Sequence, residues 1–260
     1  MRTSPGYPET MENYSKFARI YSTGSYTEYS RHMASKLPDI LGKLNYHPTS
    51  ILDLGCGEGT FAREAGQLGF DVTGIDKASE MIKIARNKVE NDRRVSFLEG
   101  DMRKLALEDQ FDLVTSWFDS INYLLTDYDL RETLRTAYEL LRQKGFFIFD
   151  VNTIHGLSVE WQEQSCYVQR DDSRVFEVHR TGYDSSRQIA SLKITFFQRE
   201  GNGWEKHEEI HKERGYKLTR IEELAEEVGF RFESVWGDLE RFSPPDDESG
   251  RVWIALYKGS

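Results

Sequence analysis

The chain has 260 residues, of which 38% are hydrophobic, and this is enough to bury one large α/β core with a sizeable insert. The net charge is -10 and no basic run occurs, which disfavours a nucleic-acid substrate. Its two cysteines, Cys56 and Cys166, provide no disulfide framework. We find no apolar signal core and no apolar run of membrane-spanning length, so we expect a cytoplasmic protein without a membrane span.

The N-terminal segment, residues 1–44, is predicted to be helical after a loose tail. The tail is expected over residues 1–12, which are polar and rich in Pro, Gly and Thr. From Tyr14 to about Leu44, apolar residues recur at helical spacing. Because proline removes a backbone donor, we expect Pro38 to separate two helices.

Strands and helices alternate along residues 45–155. Short apolar strands are predicted at 50–54, 71–75, 95–98, 111–115 and 146–151. Among the intervening helices, one is predicted to begin with Ser79 as its N-cap, and another with a capping box at Thr126 and Asp129. This alternation predicts a doubly wound parallel sheet, in which the carboxyl ends of the strands form a ligand crevice.

Residues 156–215 change to a period of two, which predicts an antiparallel β insert with strands near 165–170, 174–180, 190–196 and 203–213. In residues 216–260, Thr219 and Glu222 predict a capped helix. Strands near 230–236 and 251–257 then predict a hairpin at the sheet edge. The predicted fold class is α/β: a doubly wound, mostly parallel, seven-stranded Rossmann-like sheet with an antiparallel β insert before the last helix.

A glycine loop, Gly55-Cys56-Gly57-Glu58-Gly59, follows the first strand directly. Glycines at these positions remove the Cβ atoms that would keep a ligand away from the backbone. The helix that follows offers unpaired N–H groups. On its own the loop indicates only a nucleotide-like ligand.

Three further signals lie at the ends of later strands. Asp76 is placed to accept hydrogen bonds from ribose hydroxyls, although it could instead cap the next helix. Asp101 could accept from an adenine amino group while Met102 packs on the ring, and the alternative is a solvated turn. Beyond the fourth strand, Trp117 and Ser120 are better placed to face a cofactor. Their aromatic neighbours Phe118 and Tyr123 could equally form a hydrophobic plug.

In combination these motifs resemble those of the class I S-adenosylmethionine (AdoMet)-dependent methyltransferases. The matching segments are 53–59, 74–81, 100–102 and 111–114, within a resemblance that covers roughly residues 45–155. It implies that the loop glycines border the methionine part of AdoMet, Asp76 the ribose, and Asp101 with Met102 the adenine. The predicted cofactor residues are Tyr14, Gly55, Cys56, Gly57, Gly59, Asp76, Lys77, Met81, Asp101, Met102, Trp117 and Ser120.

The insert is similar, more loosely, to that of small-molecule N-methyltransferases for glycine or amino sugars. In that branch the N-terminal helices form a lid over the cofactor, often through a tyrosine. Tyr14, Phe17 and Tyr21 lie in the corresponding region here. The resemblance also implies that the insert caps a small acceptor and that a homodimer is possible.

The predicted function is N- or O-methylation of a small molecule by in-line transfer, a reaction that mainly needs alignment and exclusion of water. A base is needed only if the nucleophile arrives protonated. The candidates are Tyr14, Tyr21, His155, His179 and His211, and none is assigned as catalytic.

Three alternative functions are compatible with parts of the sequence. A nicotinamide dehydrogenase needs G-x-G-x-x-G, whereas Thr60 follows Gly59 here. A non-catalytic AdoMet-binding scaffold would keep the same motifs. A metal site could use His207, Glu209 and His211, which share one strand face. We interpret that face as solvated, because Glu205 and Glu213 also lie on it, and predict no metal.

Overall fold

The computed structural model describes residues 14–89 and 93–259, so the predicted tail at residues 1–12 lies outside the described residues. The helices and strands up to residue 152 are α1 (Phe17–Thr23), α2 (Tyr26–Lys43), β1 (Ser50–Leu54), α3 (Thr60–Gln67), β2 (Asp71–Asp76), α4 (Ser79–Asn87), β3 (Val95–Glu99), β4 (Phe111–Ser116), α5 (Asp127–Leu140) and β5 (Leu141–Asn152). A short 3-10 turn, Ser120–Tyr123, lies between β4 and α5.

A π-helical turn, Gly156–Glu160, leads into the insert. The elements that follow are α6 (Trp161–Glu163), β6 (Cys166–Asp171), β7 (Val175–Asp184), β8 (Ile189–Glu200), β9 (Gly203–Arg214), α7 (Leu218–Val228), β10 (Phe230–Trp236) and β11 (Arg251–Lys258). Strands β6 to β9 form a separate four-stranded antiparallel sheet in sequence order.

The larger sheet has seven strands in the order β10-β11-β5-β4-β1-β2-β3. Strands β1 to β5 are parallel, and β11 runs antiparallel to both of its neighbours. Two apolar clusters cover the sheet, one packed with α5 and α7 and the other with α2, α3 and α4. The predicted fold class is confirmed. Within the described ranges, no helix combines the length and apolarity that a membrane crossing requires.

The expected break at Pro38 is wrong. Helix α2 continues through Pro38, and the chain leaves helical structure instead at Gly24 and Ser25. Pro38 is exposed, whereas Leu37 and Ile40 beside it are fully buried. Packing of the buried face therefore outweighs the one backbone hydrogen bond that proline removes.

Two of the three predicted helix caps differ from the structure. The Thr126 hydroxyl accepts from the Asp129 N–H at 3.1 Å, as predicted. Ser79 is instead the first helical residue, and the Asp76 carboxylate accepts from the preceding Ala78 N–H at 2.8 Å. Helix α7 begins one residue before Thr219 and has no side-chain cap.

Candidate active site

A cavity of about 920 Å³ lies at the carboxyl ends of the parallel strands. Its other walls come from α1 and α2 and from the inner face of the antiparallel sheet, so three parts of the chain enclose it. Eleven of the twelve predicted cofactor residues line it, and the exception is Gly59. The structure thus brings the sequence motifs together, while their contacts with AdoMet stay a prediction.

Two glycines of the loop, Gly55 and Gly57, present bare backbone to the cavity next to β1. Gly55 and Gly57 have φ values of +73° and +55°, a region that favours glycine. A Cβ at Gly55 would lie 2.6 Å from the Ser120 hydroxyl oxygen, whereas one at Gly57 would have no atom within 4 Å. The backbone at Gly57 therefore borders open cavity, which suits close approach by a ligand.

Gly59 corrects the expectation that all three glycines border the ligand. It adopts φ +82°, and an added Cβ would lie 2.5 Å from Cζ of Phe97 and 3.0 Å from Cβ of Ala85. Glycine is required here because the start of α3 packs closely on β3 and α4.

Asp76 lies at the end of β2, where it accepts hydrogen bonds from two backbone N–H groups. One carboxylate oxygen accepts from the Gly57 N–H and the other from the Ala78 N–H, each at 2.8 Å. Burial raises the pKa of this carboxyl, although the N–H groups act in the opposite direction. Asp76 therefore braces the glycine loop and the turn before α4, which has no side-chain cap, and it lines the cavity. Its contact with a ribose stays a prediction.

Asp101 is already paired within the protein. The Arg103 guanidinium contacts both of its oxygens, and this hydrogen bonding lowers the pKa of Asp101 to about 2. The Lys77 ammonium lies 3.8 Å away at the exposed rim. Any hydrogen bond from adenine to Asp101 would use a carboxylate lone pair that Arg103 and Lys77 do not occupy, beside Met102.

Trp117 and Ser120 lie where β4 ends. The Trp117 ring packs on Phe61, and its buried indole Nε1 has no hydrogen-bond partner among the residues that the structure describes. The Ser120 hydroxyl donates to the Trp117 carbonyl at 2.8 Å. An unpaired donor, bare glycine backbone and several carboxylates fit a ligand with hydroxyls and positive charge.

Tyr14 and Tyr123 join the N-terminal segment to the insert. Their hydroxyls lie 2.8 Å apart, and the Tyr123 hydroxyl lies 2.9 Å from Nδ1 of His211. Burial raises the pKa of both tyrosines. Tyr123 is therefore part of a polar chain on the cavity wall, and the hydrophobic plug considered for it does not describe its contacts.

The inner face of β9 overturns our interpretation of a solvated strand. Glu209, His211 and Glu213 are only 4%, 2% and 3% exposed. They alternate along the strand, so all three point inward, towards the N-terminal segment and the cavity. No group of three potential metal ligands was found among residues 14–89 and 93–259.

An acidic cluster that the sequence analysis missed lies beside this face. The buried Asp150 carboxylate accepts from the N–H groups of Phe118 and Asp119 and pairs with Arg251. Arg251 also pairs with Asp119 at 3.2 Å. Burial and the nearby Asp119 raise the pKa of Glu213 well above its usual range. The available signal was the position of Asp119 and Asp150 at adjacent strand ends.

A second polar cluster occupies the far wall, in the insert. His179 contacts the fully buried Glu177 through Nε2 at 2.5 Å and the Tyr167 hydroxyl through Nδ1 at 3.1 Å. The Tyr26 hydroxyl donates to the same Glu177 oxygen. Of the five candidate bases, four line the cavity and His155 does not.

Comparison with known proteins agrees with this geometry. A family profile described as "Methyltransferase domain" matches residues 51–145. The chain is 31% identical over 212 residues to "Putative methyltransferase GWCH70_2453" of Geobacillus sp., covering 80% of this chain and 84% of the relative. It is 28% identical over 250 residues to "Putative methyltransferase YqeM" of Bacillus subtilis, covering 94% and 97%.

Two further similarities concern the fold and a named activity. An S-adenosylmethionine-dependent methyltransferase from Clostridium acetobutylicum superposes with a TM-score of 0.81 at 24% identity, covering 96% of this chain and 100% of that one. A dTDP-3-amino-3,4,6-trideoxy-alpha-D-glucopyranose N,N-dimethyltransferase of Streptomyces venezuelae is 24% identical over 208 residues, covering 78% and 84%.

The sheet order, the glycine loop and the cavity define a methyltransferase of the AdoMet-binding type. The chain belongs to the class I AdoMet-dependent methyltransferases, and AdoMet is its cofactor. This family membership contradicts the nicotinamide dehydrogenase alternative.

Proposed function

We propose that the protein transfers a methyl group from AdoMet to a nitrogen of a small amine that enters the cavity as a cation. The observation that supports this most strongly is the continuity of the cavity, which includes both the glycine loop and the acidic wall formed by Asp119 and Glu213. A cofactor and an acceptor can therefore meet without crossing bulk solvent.

The charge of the cavity supports a cationic acceptor. Nine acidic side chains line it: Asp53, Glu58, Asp76, Asp101, Asp119, Asp129, Glu160, Glu163 and Glu213. Burial raises the pKa of Asp53, Asp76 and Glu213, so the negative charge comes mainly from the other six. The cations on the described walls are Lys77, Arg103 and Arg251, and each is paired with a carboxylate. Such a field attracts ammonium groups and repels phosphates. We therefore propose an amine acceptor, as in the Streptomyces relative, without the nucleotide diphosphate that its name includes.

We propose that the parallel sheet, from residues 45–155 and 216–260, binds the cofactor. The glycine loop would border the methionine part, Asp76 the ribose, and Asp101 with Met102 the adenine. The N-terminal segment and the insert, residues 156–215, would enclose the acceptor. Their aromatic and apolar side chains would exclude water during transfer.

When bound, AdoMet supplies an electrophilic methyl carbon whose leaving group is a neutral thioether. The acceptor nitrogen must lose a proton before it can attack, because an ammonium has no lone pair. His211 is buried beside the cavity and is hydrogen-bonded to Tyr123, which contacts Tyr14. We propose that His211 takes this proton through the two hydroxyls, which stay neutral because burial raises their pKa.

The test uses AdoMet with a CD3 group, purified protein and a metabolite extract separated into cationic, neutral and anionic fractions. We expect mass spectrometry to find a CD3-bearing amine in the cationic fraction, and Glu213→Gln to reduce its formation. Product in the anionic fraction would contradict the proposed acceptor class. AdoMet binding without product in any fraction would instead support the scaffold alternative.

We retain the homodimer implied by the resemblance as a proposal, with the insert as its interface. Its test is light scattering coupled to size-exclusion chromatography, from which we expect twice the chain mass of 30.3 kDa. A single-chain mass at micromolar concentration would contradict it.

A further inference from the structure

The first described residues of the N-terminal segment are held by a single carboxylate of the insert. Residues 14–23, which we call the N-terminal lid, begin at Tyr14 and include α1. The Glu209 side chain accepts from the N–H of Tyr14 at 2.8 Å, and from those of Lys16 and Phe17 at 2.9 Å each. These partners are separated from Glu209 by 192 to 195 residues of chain.

The burial of Glu209 makes these bonds important. Its side chain is 3% exposed, and an unpaired carboxylate at that depth would be strongly unfavourable. Nε2 of His211 lies 3.5 Å from one oxygen. The three lid N–H groups and His211 together lower the pKa of Glu209 despite its burial. The ionised carboxylate therefore stabilises the lid in its observed position.

The lid in this position forms one wall of the cavity. Tyr14, Phe17 and Tyr21 line the cavity. The lid also packs through Ala18 against Ala78 and Met81, at the start of α4. The lid therefore spans from the insert to the proposed cofactor wall.

We propose that Glu209 is a positioning residue that latches the N-terminal lid over bound cofactor, and that cofactor enters and leaves when these three hydrogen bonds break. Glutamine cannot replace the carboxylate, because both carboxylate oxygens accept hydrogen bonds from lid N–H groups. The amide NH2 of glutamine is a donor and would face one of these N–H groups without accepting from it. This inference depends on the cavity binding AdoMet and is independent of the identity of the acceptor.

The test compares Glu209→Gln with Glu208→Gln. Glu208 is the next residue on β9 but pairs with Lys193 and Lys206 on the opposite face. The probe is S-adenosylhomocysteine, the demethylated form of the cofactor. We expect Glu209→Gln to accelerate its dissociation about tenfold, since hydrogen bonds to a buried charge are lost, and Glu208→Gln to leave the rate unchanged. Equal rates in the two variants would overturn the proposal.

Trypsin gives a second measurement that also works on the wild-type protein. Lys16 and Arg19 are exposed on the lid, so cleavage after either residue reports its opening. We expect S-adenosylhomocysteine to slow this cleavage in the wild type, and Glu209→Gln to accelerate it. If the ligand leaves wild-type cleavage unchanged, the lid does not close on the cofactor and the proposal is wrong, even if Glu209→Gln fails to fold.

Discussion

The two halves of the cavity are built in different ways. In the parallel sheet, contacting groups are close in sequence, as with Asp76 and Gly57, which are 19 residues apart. In the insert, Glu209 contacts Tyr14 across 195 residues, and Tyr123 contacts His211 across 88. A cofactor site made from short motifs, each directly at the end of its own strand, can be recognised in sequence. An acceptor site assembled across the fold needs the structure.

The largest effect on stability is expected from Gly59→Ala, which we compare with Gly57→Ala in the same loop. We expect Gly59→Ala to lower the free energy of unfolding by about 2 to 4 kcal/mol, because its Cβ meets Phe97 at positive φ. Gly57→Ala, which faces open cavity, should cost about 1 kcal/mol from backbone strain and mainly weaken AdoMet binding. Chemical denaturation and calorimetry measure the two quantities. The reverse pattern would contradict the packing role of Gly59.

Asp53 allows a test of the cofactor half through pH. Burial raises its pKa from 3.8 to about 8, although a hydrogen bond from Thr115 opposes the shift. The folded protein therefore binds a proton that the unfolded chain releases, so this group's contribution to stability is complete below pH 3.8 and is lost as pH rises through 8.

We expect Asp53→Asn to flatten the decline in stability between these two pH values, by up to about 1.4 kcal/mol per pH unit. The decline should not vanish, because burial also raises the pKa of Asp76 and Asp150. Denaturation curves at pH 5 and pH 8 provide the measurement. Parallel declines in the variant and the wild type would show that Asp53 is ionised throughout.

The smallest effect on AdoMet binding is expected from Lys77→Ala, at the exposed rim of the cofactor half of the cavity. The Lys77 side chain is 69% exposed and lies 3.8 Å from Asp101, and such surface pairs contribute little. Lys77→Ala should change AdoMet affinity less than about threefold. A larger loss in calorimetry would indicate a direct contact with the cofactor.

The strands, and the grouping of the motif residues on one cavity wall, could be predicted from the sequence because both depend on local patterns. The continuity of α2 through Pro38 could not be predicted, because propensity cannot weigh the burial of Leu37 and Ile40. The burial of Glu209 and His211 on β9 could not be predicted, because polar side chains that pair across the fold look the same in sequence as those that face water. The packing role of Gly59 could not be distinguished from ligand contact in the sequence, because both require glycine.

The central claim is that one half of the cavity binds the cofactor and the other the acceptor. Isothermal titration calorimetry of AdoMet with Asp76→Ala and Glu213→Gln tests it most directly. We predict that Asp76→Ala weakens binding about tenfold or more, from the lost hydrogen bonds, while Glu213→Gln leaves the affinity unchanged and slows methyl transfer. Unchanged affinity in Asp76→Ala, or an equal loss in both variants, would contradict the division.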